Sequence, residues 1–359
     1  MHRTFRIRRL LCAAAIAVYA AGCASAPPSV DEIVAGPFQR VAGPREAGSV
    51  LDTTQAGDWG TYVVGQPTVD FDGTLFRMWF AGTPQLAPGE SPYLYRSSIG
   101  LATSPDGVHW TMANEGRPVF THGPPGAFDS LAVGHPAVLR VNGSYLMWYG
   151  GADGTAAVTG VRIERIGLAT SADGIHWTRQ HDGRAVLDVG PDKSIDSIQA
   201  TGAAVIKTPS GFRMWYGAFN GTHTIVAASS PDGIAWTKDS RGAVPGLQQE
   251  TGALGPSVYF DGRKYLMLYS IISDRQWVMV GATSTDGATW TPVSGGGRIL
   301  SAPDPNGFDS AGAGRNHSVH PSELVVHAGR VWAWYSGEDS RAPNLMRIGL
   351  MERKLGQTP

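Results

Sequence analysis

The feature that most constrains this chain is an internal repeat of about 54 to 67 residues. Its first signature, Ser-x-Asp-Gly-x-x-Trp, ends at four tryptophans: Trp110, Trp177, Trp236 and Trp290. Its second signature is an aromatic run of the type Met-Trp-Tyr, centred on Trp79, Trp148, Trp215, Leu268 and Trp334. Each unit holds four short apolar runs separated by glycine-containing turns, a pattern typical of propeller blades. The sequence therefore predicts an all-β, five-bladed β-propeller of four-stranded blades.

The last unit ends with the third-strand run Ile348–Glu352 and has no fourth strand of its own. The segment from Phe38 to Asp58 is 20 residues long, close to the 19 that separate the signature tryptophan of one unit from the aspartate opening the next. We expect this N-terminal strand to complete the last blade, because such closure leaves the ring without a free sheet edge. The predicted propeller covers residues 37–355, with a tail at 356–359.

Two kinds of connection between strands predict which end of the propeller carries a site. On one face, tight turns such as Asp72-Gly73 and Asn142-Gly143 have residue types that suit positive φ angles. The connections on the opposite face are long and irregular: 82–98, 150–165, 295–315 and 337–347. Functional residues concentrate on loops that a rigid scaffold holds in place. We therefore expect a pocket on this loop-rich face, over the central axis, and architecture alone on the tight-turn face.

The first residues are typical of an export signal. Residues 1–22 combine four arginines with an apolar stretch, Leu10–Ala20, that is too short to span a bilayer. The stretch ends in Ala20-Ala21-Gly22-Cys23, which looks like a lipobox with Cys23 as the acylated first mature residue, followed by a tether at 23–36. The protein is expected to be lipid-anchored to the bacterial envelope, at the outer membrane or cell surface. A cut after Ala26 would instead make it periplasmic or secreted.

Composition excludes several classes of function. Cys12 lies inside the export signal, so the mature chain has no pair of cysteines for a disulfide or a cysteine-based metal site. Removal of residues 1–22 leaves 25 basic against 30 acidic side chains. There is also no run of lysine or arginine, which argues against a nucleic-acid partner. We expect a monomer that requires no cofactor.

Residues present in every unit are expected to be architectural, and residues that break the repeat are candidates for function. The four tryptophans of the first signature are assigned to packing between blades. An acidic position opens each first strand on the loop-rich face, at Asp58, Asp129, Asp196, Glu250 and Asp309. Two interpretations of this carboxylate ring stay open. It could supply a paired acid and base or bind a cation such as an axial Ca²⁺, or it could be a repeated cap that joins neighbouring blades.

Two residues, His135 and Glu323, break the repeat near the axis, in positions that otherwise hold mostly small residues or Gln. Gln66 and His135 stand directly before the first-strand prolines of units 1 and 2, where units 3 and 4 have Gly202 and Gly255. Glu323 is a further intrusion, in the first strand of unit 5. A carboxylate crowded among small residues is expected to have a perturbed pKa, as catalytic carboxylates need.

Unit 5 also carries a six-residue insertion before Ser322, which we align with Pro136 of unit 2 by counting back from the second-strand tryptophan. The insertion contains Arg315, His317 and His320 and is the densest polar cluster of the chain. Arg315 and His317 are therefore candidates for substrate binding. A metal site on the two histidines is not favoured, because no third ligand has suitable spacing.

The runs Met-Trp-Tyr-x-Gly and Ile-Gly-Leu-Ala-x-Ser-x-Asp-Gly-x-x-Trp resemble those of the five-bladed β-propeller glycosidases, glycoside hydrolase families 43, 32 and 130. The resemblance covers nearly all of the mature chain and implies the propeller fold and activity on saccharides. In those families a catalytic carboxylate typically stands directly before the first-strand proline. This chain has Gln66, His135, Gly202 and Gly255 at the corresponding places, so its own carboxylates are sought elsewhere.

The sequence thus predicts a glycoside hydrolase that acts on a furanose- or mannose-type oligo- or polysaccharide through two carboxylates in an axial pocket. The candidate catalytic carboxylates are Asp58, Asp129, Asp196 and Glu323. Candidate substrate-binding residues are Gln66, His135, Glu250, Asp309, Arg315 and His317, with Tyr93, Tyr95 and Trp277 as surfaces for sugar stacking. The alternative is a non-catalytic glycan-binding or assembly lipoprotein on the same scaffold.

Overall fold

The computed structural model describes residues 27–85, 87, 96–156, 160–247, 252–273, 276–293, 299–300, 307–309, 320–338 and 346–356. A short helix, α1 (Val30–Val34), and strand β1 (Gln39–Val41) precede the blades. The strands of blades 1 to 3 are β2 (Val63–Phe71), β3 (Phe76–Thr83), β4 (Ser98–Ser104), β5 (Thr111–Met112), β6 (Ala132–Val141), β7 (Ser144–Ala152), β8 (Arg165–Ser171), β9 (Thr178–Arg179), β10 (Gln199–Thr208), β11 (Gly211–Phe219), β12 (His223–Ser230) and β13 (Thr237–Ala243). Those of blades 4 and 5 are β14 (Ala253–Phe260), β15 (Tyr265–Ser273), β16 (Gln276–Ser284), β17 (Thr291–Pro292), β18 (His320–Pro321), β19 (Val325–His327), β20 (Arg330–Glu338) and β21 (Met346–Lys354).

Within each blade, strands that are neighbours along the chain pair antiparallel, which is the arrangement of a β-propeller. Blade 5 begins with two short strands, β18 and β19, which both pair with β20. The five blades confirm the predicted fold class. No helix among the described residues is long and apolar enough to cross a membrane.

The ring closes through the N-terminal strand, as the sequence predicts. β1 pairs antiparallel with β21 and so serves as the fourth strand of blade 5. A parallel bridge from Val63 to Met346 joins blade 1 to blade 5. The indole of Trp334 donates to the carbonyl of Gly107 across the same junction, at 2.9 Å. The first and last blades are therefore neighbours.

The repeated tryptophans pack between blades. Each tryptophan of the first signature meets a second-strand tryptophan of the preceding blade edge to face, in the pairs Trp110–Trp334, Trp177–Trp79, Trp236–Trp148 and Trp290–Trp215. The four second-strand indoles are fully buried. Aromatic pairs of this kind add roughly 0.5 to 1.5 kcal/mol each beyond the area that they bury. The prediction that these residues are architectural is confirmed.

The Asp-Gly turns also have the hydrogen bonds of turn formers. In each, the aspartate Oδ1 accepts from the backbone N–H groups of the second and third residues after it, at Asp106, Asp173, Asp232 and Asp286. These bonds hold the reversal between third and fourth strands, and at Gly107, Gly174 and Gly233 the turn carbonyl also accepts from a tryptophan indole of the preceding blade. The turns define the tight-turn face, and the longer connections emerge at the opposite end.

Residues 28–34 belong to the folded body, which corrects the tether predicted at 23–36. A capping box begins α1: the Ser29 hydroxyl accepts from the Glu32 N–H, and the Glu32 carboxylate accepts from the Ser29 N–H at 2.8 Å. Val30 is fully buried in the cluster between blades 4 and 5. A helix of five residues is too short for helical periodicity to appear in the sequence, which is why the segment resembled a linker.

Blades 1 to 4 each carry a β-bulge near the axis, where the register of the first strand shifts by one residue around the first-strand proline position. Blade 5 differs. Ser322 donates its N–H to the Trp334 carbonyl, and the shift follows it, before Val325. Ser322 therefore corresponds to the residue after Pro136, so the alignment of these two residues is wrong by one position. Glu323 lies in the displaced bulge.

Candidate functional site

Three of the four described members of the carboxylate ring, Asp129, Asp196 and Asp309, each hold strands of one blade together. Each accepts a hydrogen bond from a second-strand tyrosine and pairs with a base on the fourth strand of its blade. The sets are Asp129 with Tyr149 and Arg179, Asp196 with Tyr216 and Lys238, and Asp309 with Tyr335 and Arg40. The arrangement recurs in three blades, and these three carboxylates do not line the axial cavity described below. This placement favours the architectural interpretation of the ring.

Ionisation in the ring fits the same interpretation. Burial raises the pKa of Asp196, but Lys238 and neighbouring hydrogen-bond donors lower it by a larger amount. The pKa therefore lies below its ordinary value. Burial beside Asp196 raises the pKa of Tyr216. At neutral pH the carboxylate is therefore an acceptor and the phenol a donor, and neither group is poised to transfer a proton.

Asp58 lies outside this arrangement. Trp59 packs against the end of the second strand of blade 1 as Phe128 does in blade 2, so these two aromatic residues correspond. Asp58 precedes its aromatic residue, whereas Asp129 follows Phe128, and the Asp58 side chain is exposed. The predicted alignment of Asp58 with the ring is therefore shifted, because a 3₁₀ turn at Gly57–Gly60 opens this strand.

A cavity of about 270 Å³ opens on the loop-rich face over the central axis, where the sequence predicts a pocket. All five first strands contribute to the lining of this axial pocket, through residues that include Gln66, His135, Thr201, Gly255 and His320. Much of the remaining wall is glycine and alanine, so a few polar side chains dominate its chemistry. The volume lies near the lower end of the range for ligand pockets, on the order of 300 Å³, which suits one small ligand unit.

Gln66 and His135 hold backbone conformations that favour glycine. Their φ angles are +55° and +48°, and the corresponding residues of blades 3 and 4, Gly202 and Gly255, both have φ of +61°. The bulge thus requires a left-handed residue, which costs a non-glycine side chain roughly 1 to 2 kcal/mol. Two blades carry a polar side chain in spite of that cost. Strained positions of this kind cluster at functional sites.

These two strained side chains bind each other across blades 1 and 2. Gln66 Oε1 accepts from the backbone N–H of His135 at 3.0 Å, and Gln66 Nε2 lies 3.0 Å from His135 Nε2. Because an amide nitrogen can only donate, His135 Nε2 is the acceptor and the ring proton is on Nδ1. Burial lowers the pKa of His135 more than the nearby Glu164 raises it, so the ring is neutral at physiological pH.

Among the lining residues that the structure describes, Glu164 is the one carboxylate of the axial pocket. It lies just before β8, where its N–H and carbonyl pair with the backbone of Ile198 and Ala200 in blade 3. Arg162 Nε donates to Glu164 Oε1 at 2.6 Å. Burial raises the pKa of Glu164, but Arg162 and His135 together lower it by a larger amount. The pKa is therefore below its ordinary value. The pocket therefore contains a buried, ionised carboxylate.

Two further histidines extend the polar lining. His223 packs against Phe219 with ring centroids 4.6 Å apart and the rings tilted by 38°, and His320 lies in β18. Burial lowers the pKa of both rings, that of His320 to about 3. Each neutral ring offers one donor and one acceptor to a ligand. Trp277, predicted as a stacking surface, is buried beside His223 at 5.9 Å between centroids and so supports the pocket wall.

Glu323 lines a smaller cavity of about 40 Å³ on the axis, and Gln66, His135 and His320 belong to the walls of both this cavity and the axial pocket. Burial raises the pKa of Glu323 to about 7, against smaller effects of nearby hydrogen-bond donors. Its Oε2 has no hydrogen-bond partner among the described residues. The predicted perturbed carboxylate is thus present at the axis, but in the cavity beside the axial pocket rather than in the pocket wall.

Several predicted site residues lie outside the described part of the chain: Cys23, Tyr93, Tyr95, Glu250, Arg315 and His317. Of the remaining candidates, the structure brings Gln66 and His135 together in the axial pocket and places Glu323 next to it. It does not bring Asp58, Asp129, Asp196 or Asp309 into the pocket lining.

Sequence reasoning missed Arg162, Glu164 and His223. A signal for Arg162 and Glu164 existed, because the run Arg162-Ile163-Glu164-Arg165 puts three charges at the start of the third strand of blade 2, a pattern that no other unit shares. Glu164 and His223 both stand at the starts of third strands, where the units differ from one another in charge and in residue type.

An axial Ca²⁺, which the carboxylate ring and the fold suggest, does not fit the described residues. Ca²⁺ takes roughly six to eight oxygen ligands. The lining is instead rich in imidazole, and its carboxylate is paired with Arg162. Within the described ranges no group of three or more His, Cys, Asp or Glu side chains could hold a metal ion. We therefore derive no step through a metal.

Comparisons by sequence assign no activity. No protein-family model matches the chain. Two uncharacterized proteins of Mycobacterium tuberculosis, MT1551 and Rv1502, are each 26% identical to it over 305 residues, which cover 82% of this chain and 94% of each relative. The chain and these relatives therefore match over most of their lengths.

Solved structures show the fold. A glycoside hydrolase of the GH130 family of mannoside phosphorylases, which targets β-1,2 mannosidic linkages in Candida mannan, has a TM-score of 0.69 at 16% identity over 90% of this chain and 95% of that chain. A glycosyl hydrolase from Bacteroides ovatus gives 0.66 and 16% over 89% and 94%. The β-1,2-mannobiose phosphorylase from Listeria innocua gives 0.63 and 12% over 88% and 97%. At these identities, the chain shares the propeller fold of these glycoside hydrolases.

Proposed function

We propose that this protein is a glycosidase-like enzyme that cleaves a furanose- or mannose-type saccharide in its axial pocket. The observation that carries the proposal is Glu164, a buried carboxylate oriented by Arg162 at 2.6 Å inside a cavity on the loop-rich face. Neutral imidazoles surround it, which can bind hydroxyl groups as donors and acceptors. The propeller fold shared with glycoside hydrolases supports the proposal but does not by itself decide the chemistry.

Glu164 is assigned the role of base. Its lowered pKa keeps it ionised at neutral pH, so it can accept a proton from an attacking water or a sugar hydroxyl. Arg162 fixes the orientation of the carboxylate and partly neutralises its charge. His135, held in one tautomer by Gln66, would donate its Nδ1–H to a substrate oxygen. Each role needs only groups that the pocket holds in place before the substrate arrives.

A second candidate function is non-catalytic glycan binding. Glycoside hydrolysis usually uses two carboxyl groups roughly 5 to 9.5 Å apart. Among its described lining residues, the axial pocket contains one. Glu323 has the raised pKa of an acid, but it lies in the adjacent smaller cavity. This single-carboxylate lining is the observation that favours the binding alternative.

We also propose that Cys23 is acylated, so that the protein acts on an oligo- or polysaccharide at the bacterial envelope. The lipobox-like Ala20-Ala21-Gly22-Cys23 and the preceding apolar stretch support the anchor. Only a few residues would then separate Cys23 from the folded body, which begins at Pro28.

The test is turnover by the soluble Cys23→Ser protein on aryl glycosides and on mannan, arabinan and fructan oligosaccharides. Each reaction is run with and without inorganic phosphate, because an ionised phosphate oxygen can attack without a general base and so tests whether Glu164 is needed in that role. Glu164→Gln removes the base while keeping its size. Asp58→Asn is the matched control, since it neutralises an exposed carboxylate outside the pocket.

Turnover that Glu164→Gln loses and Asp58→Asn keeps would support the enzyme. Turnover that survives in Glu164→Gln would reject Glu164 as the base while leaving an enzyme. Absence of turnover on every substrate, with saccharide binding that Glu164→Gln weakens, would reject the enzyme and support the glycan-binding alternative.

A further inference from the structure

The N-terminal segment leaves the propeller on the tight-turn face. The hydroxyl of Tyr259 donates to the carbonyl of Pro28 at 2.9 Å, and the N–H of Val30 donates to Asp261 Oδ2 at 2.8 Å. Asp261 belongs to the turn between β14 and β15, which is one of the tight turns. Pro28, near the start of the described chain, therefore lies at the end of the molecule opposite the mouth of the axial pocket.

This exit point is fixed by packing and by charge. Val30 and Ile33 are both fully buried in the apolar cluster between blades 4 and 5. The ammonium of Lys264 lies 2.8 Å from both carboxylate oxygens of Asp31. Together these contacts hold α1 against the tight-turn face, so the position of Pro28 is fixed by the folded body.

The distance from this exit to the proposed anchor is short. Five Cα–Cα steps separate Cys23 from Pro28, and an extended chain covers at most about 18 Å in five residues. The strands that run between the two faces are longer: the nine residues of β7 span about 30 Å. An acyl chain on Cys23 therefore has the reach to hold the tight-turn face near a lipid surface, but too little to bring the loop-rich face there.

An independent observation marks the same place. Among the described residues, the exposed large hydrophobic side chains are Phe260, at 41%, and Val326, at 36%. Phe260 ends β14 and Val326 lies in β19, so both stand at the tight-turn ends of the two blades between which α1 packs. Isolated exposed apolar residues are ordinary on a soluble surface. Their position beside the exit of the N-terminal segment is what fits a lipid interface.

We propose that the tight-turn end of blades 4 and 5 faces the lipid bilayer, with Phe260 and Val326 at the interface, and that the axial pocket consequently opens away from the membrane. The inference rests on the proposed acylation of Cys23. Its consequence for function is access: long saccharides would reach the pocket from the side opposite the anchoring membrane.

The experiment uses the full acylated chain in vesicles of phosphatidylethanolamine and phosphatidylglycerol that carry a headgroup-attached quencher. The mature sequence has no cysteine besides Cys23, so a single introduced cysteine gives a unique fluorescent label. Arg263→Cys places the label in the β14–β15 turn, and Asn220→Cys places it at the opposite end, after β11. Both positions are exposed. We expect quenching to be at least about threefold stronger at position 263, because contact quenching falls off over a few ångströms whereas the faces are about 30 Å apart.

Equal quenching at both positions, or stronger quenching at 220, would overturn the orientation. The double variant Tyr259→Phe with Asp261→Ala frees the segment before α1, and we expect it to reduce the contrast between the labels without releasing the protein from the vesicles. A chain that stays soluble with Cys23 intact would overturn both the anchor and this inference. Turnover by the soluble Cys23→Ser form is measured separately, so neither failure bears on the saccharide chemistry.

Discussion

The carboxylate ring and the axial pocket place acidic side chains in two different settings. Asp129 and Asp196 occur with the same set of partners, a second-strand tyrosine and a fourth-strand base, in successive blades. Glu164 occurs once, and it shares with its partner Arg162 a charged run that no other unit has at the start of its third strand. A repeated ion pair serves every blade alike and therefore stabilises the ring. A single ion pair in the wall of a cavity does not contribute to every blade, and it is placed where a bound ligand would contact it.

The same contrast appears within one structural position. The first-strand bulge holds glycine in blades 3 and 4 and a polar side chain in blades 1 and 2. Glycine adopts the left-handed conformation without steric cost. Gln66 and His135 adopt it at a cost and contact each other. The bulge itself requires only a left-handed backbone, whereas the polar side chains of blades 1 and 2 contribute to the pocket. This contrast, and that between the ring and Glu164, can each be tested by substitution.

The largest expected effect is on catalysis, from Glu164→Gln. The amide keeps the shape of the side chain but cannot accept a proton, and general-base catalysis typically contributes 10² to 10⁴-fold in rate, so kcat should fall by at least about 100-fold. The measurement is kcat and KM on the best substrate of the panel, with thermal unfolding as a control for folding. A variant that keeps more than about a tenth of wild-type kcat would contradict the assignment of Glu164 as base.

The second prediction is the converse, for Asp129→Ala. Loss of the carboxylate leaves Arg179 and the Tyr149 hydroxyl without their partner in a buried place, which should lower the free energy of unfolding by about 3 kcal/mol. The value is at the low end for buried pairs, because Arg179 is partly exposed and can reach water. Urea unfolding measures it, and kcat per folded molecule should stay unchanged. Loss of kcat with normal stability would return the ring to the list of catalytic candidates.

The fold could be predicted from the sequence because its determinants repeat. The aromatic strand occurs five times and the Asp-Gly turn four times, so each signal is confirmed by its other copies. The fourth strand that unit 5 lacks could be sought in the N-terminal segment, and β1 supplies it. Alignment failed where the repeat itself is irregular: at the 3₁₀ turn before β2, which displaced Asp58, and at the shifted bulge of blade 5, which displaced Glu323.

The site was harder to predict because its residues come from unlike places. Glu164 reaches the axis from a long connection of blade 2 that lies along blade 3. Nothing in spacing along the chain reveals such a crossing. His135 was found because it breaks the pattern at a repeated position, which is the kind of difference that a single sequence can show. The left-handed conformation that it shares with Gln66 is visible only in the structure.

The third prediction concerns Glu323 and pH. Its folded pKa of about 7 exceeds the ordinary value of 4.5, so the folded state binds the proton more tightly than the unfolded state. This group's stabilising contribution is complete below pH 4.5, decreases as pH rises toward 7, and is lost above that. Since the carboxyl faces a cavity rather than a solid core, we expect a loss of about 2 to 3 kcal/mol.

Glu323→Gln should remove that pH dependence. The comparison is the difference in unfolding free energy between wild type and variant at pH 4.5 and pH 8, because His135, His223 and His320, with lowered pKa values, contribute the opposite slope in both proteins. The variant is expected to be relatively more stable at pH 8. A difference between the two proteins that does not change with pH would reject the raised pKa.

The smallest expected effect on stability is that of Gln66→Gly. Relief of the left-handed conformation stabilises the folded state by roughly 1 to 2 kcal/mol. The greater conformational freedom of glycine in the unfolded chain offsets about 0.5 to 1 kcal/mol of this gain. Loss of the two hydrogen bonds to His135 removes a similar amount, so the free energy of unfolding should change by less than about 1 kcal/mol.

The pocket should nevertheless respond, because nothing then fixes the proton of His135 on Nδ1. By nitrogen-15 NMR, the His135 ring should change from a single tautomer to a mixture of two. The value of kcat/KM should fall by about tenfold, which corresponds to about 1.4 kcal/mol for one misplaced donor.

Gly202→Ala is the matched test at the equivalent bulge of blade 3. There the added Cβ, in ordinary contact with His135 Nδ1 at 3.5 Å, imposes the strain without supplying a polar group. That variant should lose about 1 kcal/mol of stability and keep its tautomer, so a tautomer change in Gly202→Ala rather than in Gln66→Gly would show that the bulge, not the glutamine, orients His135.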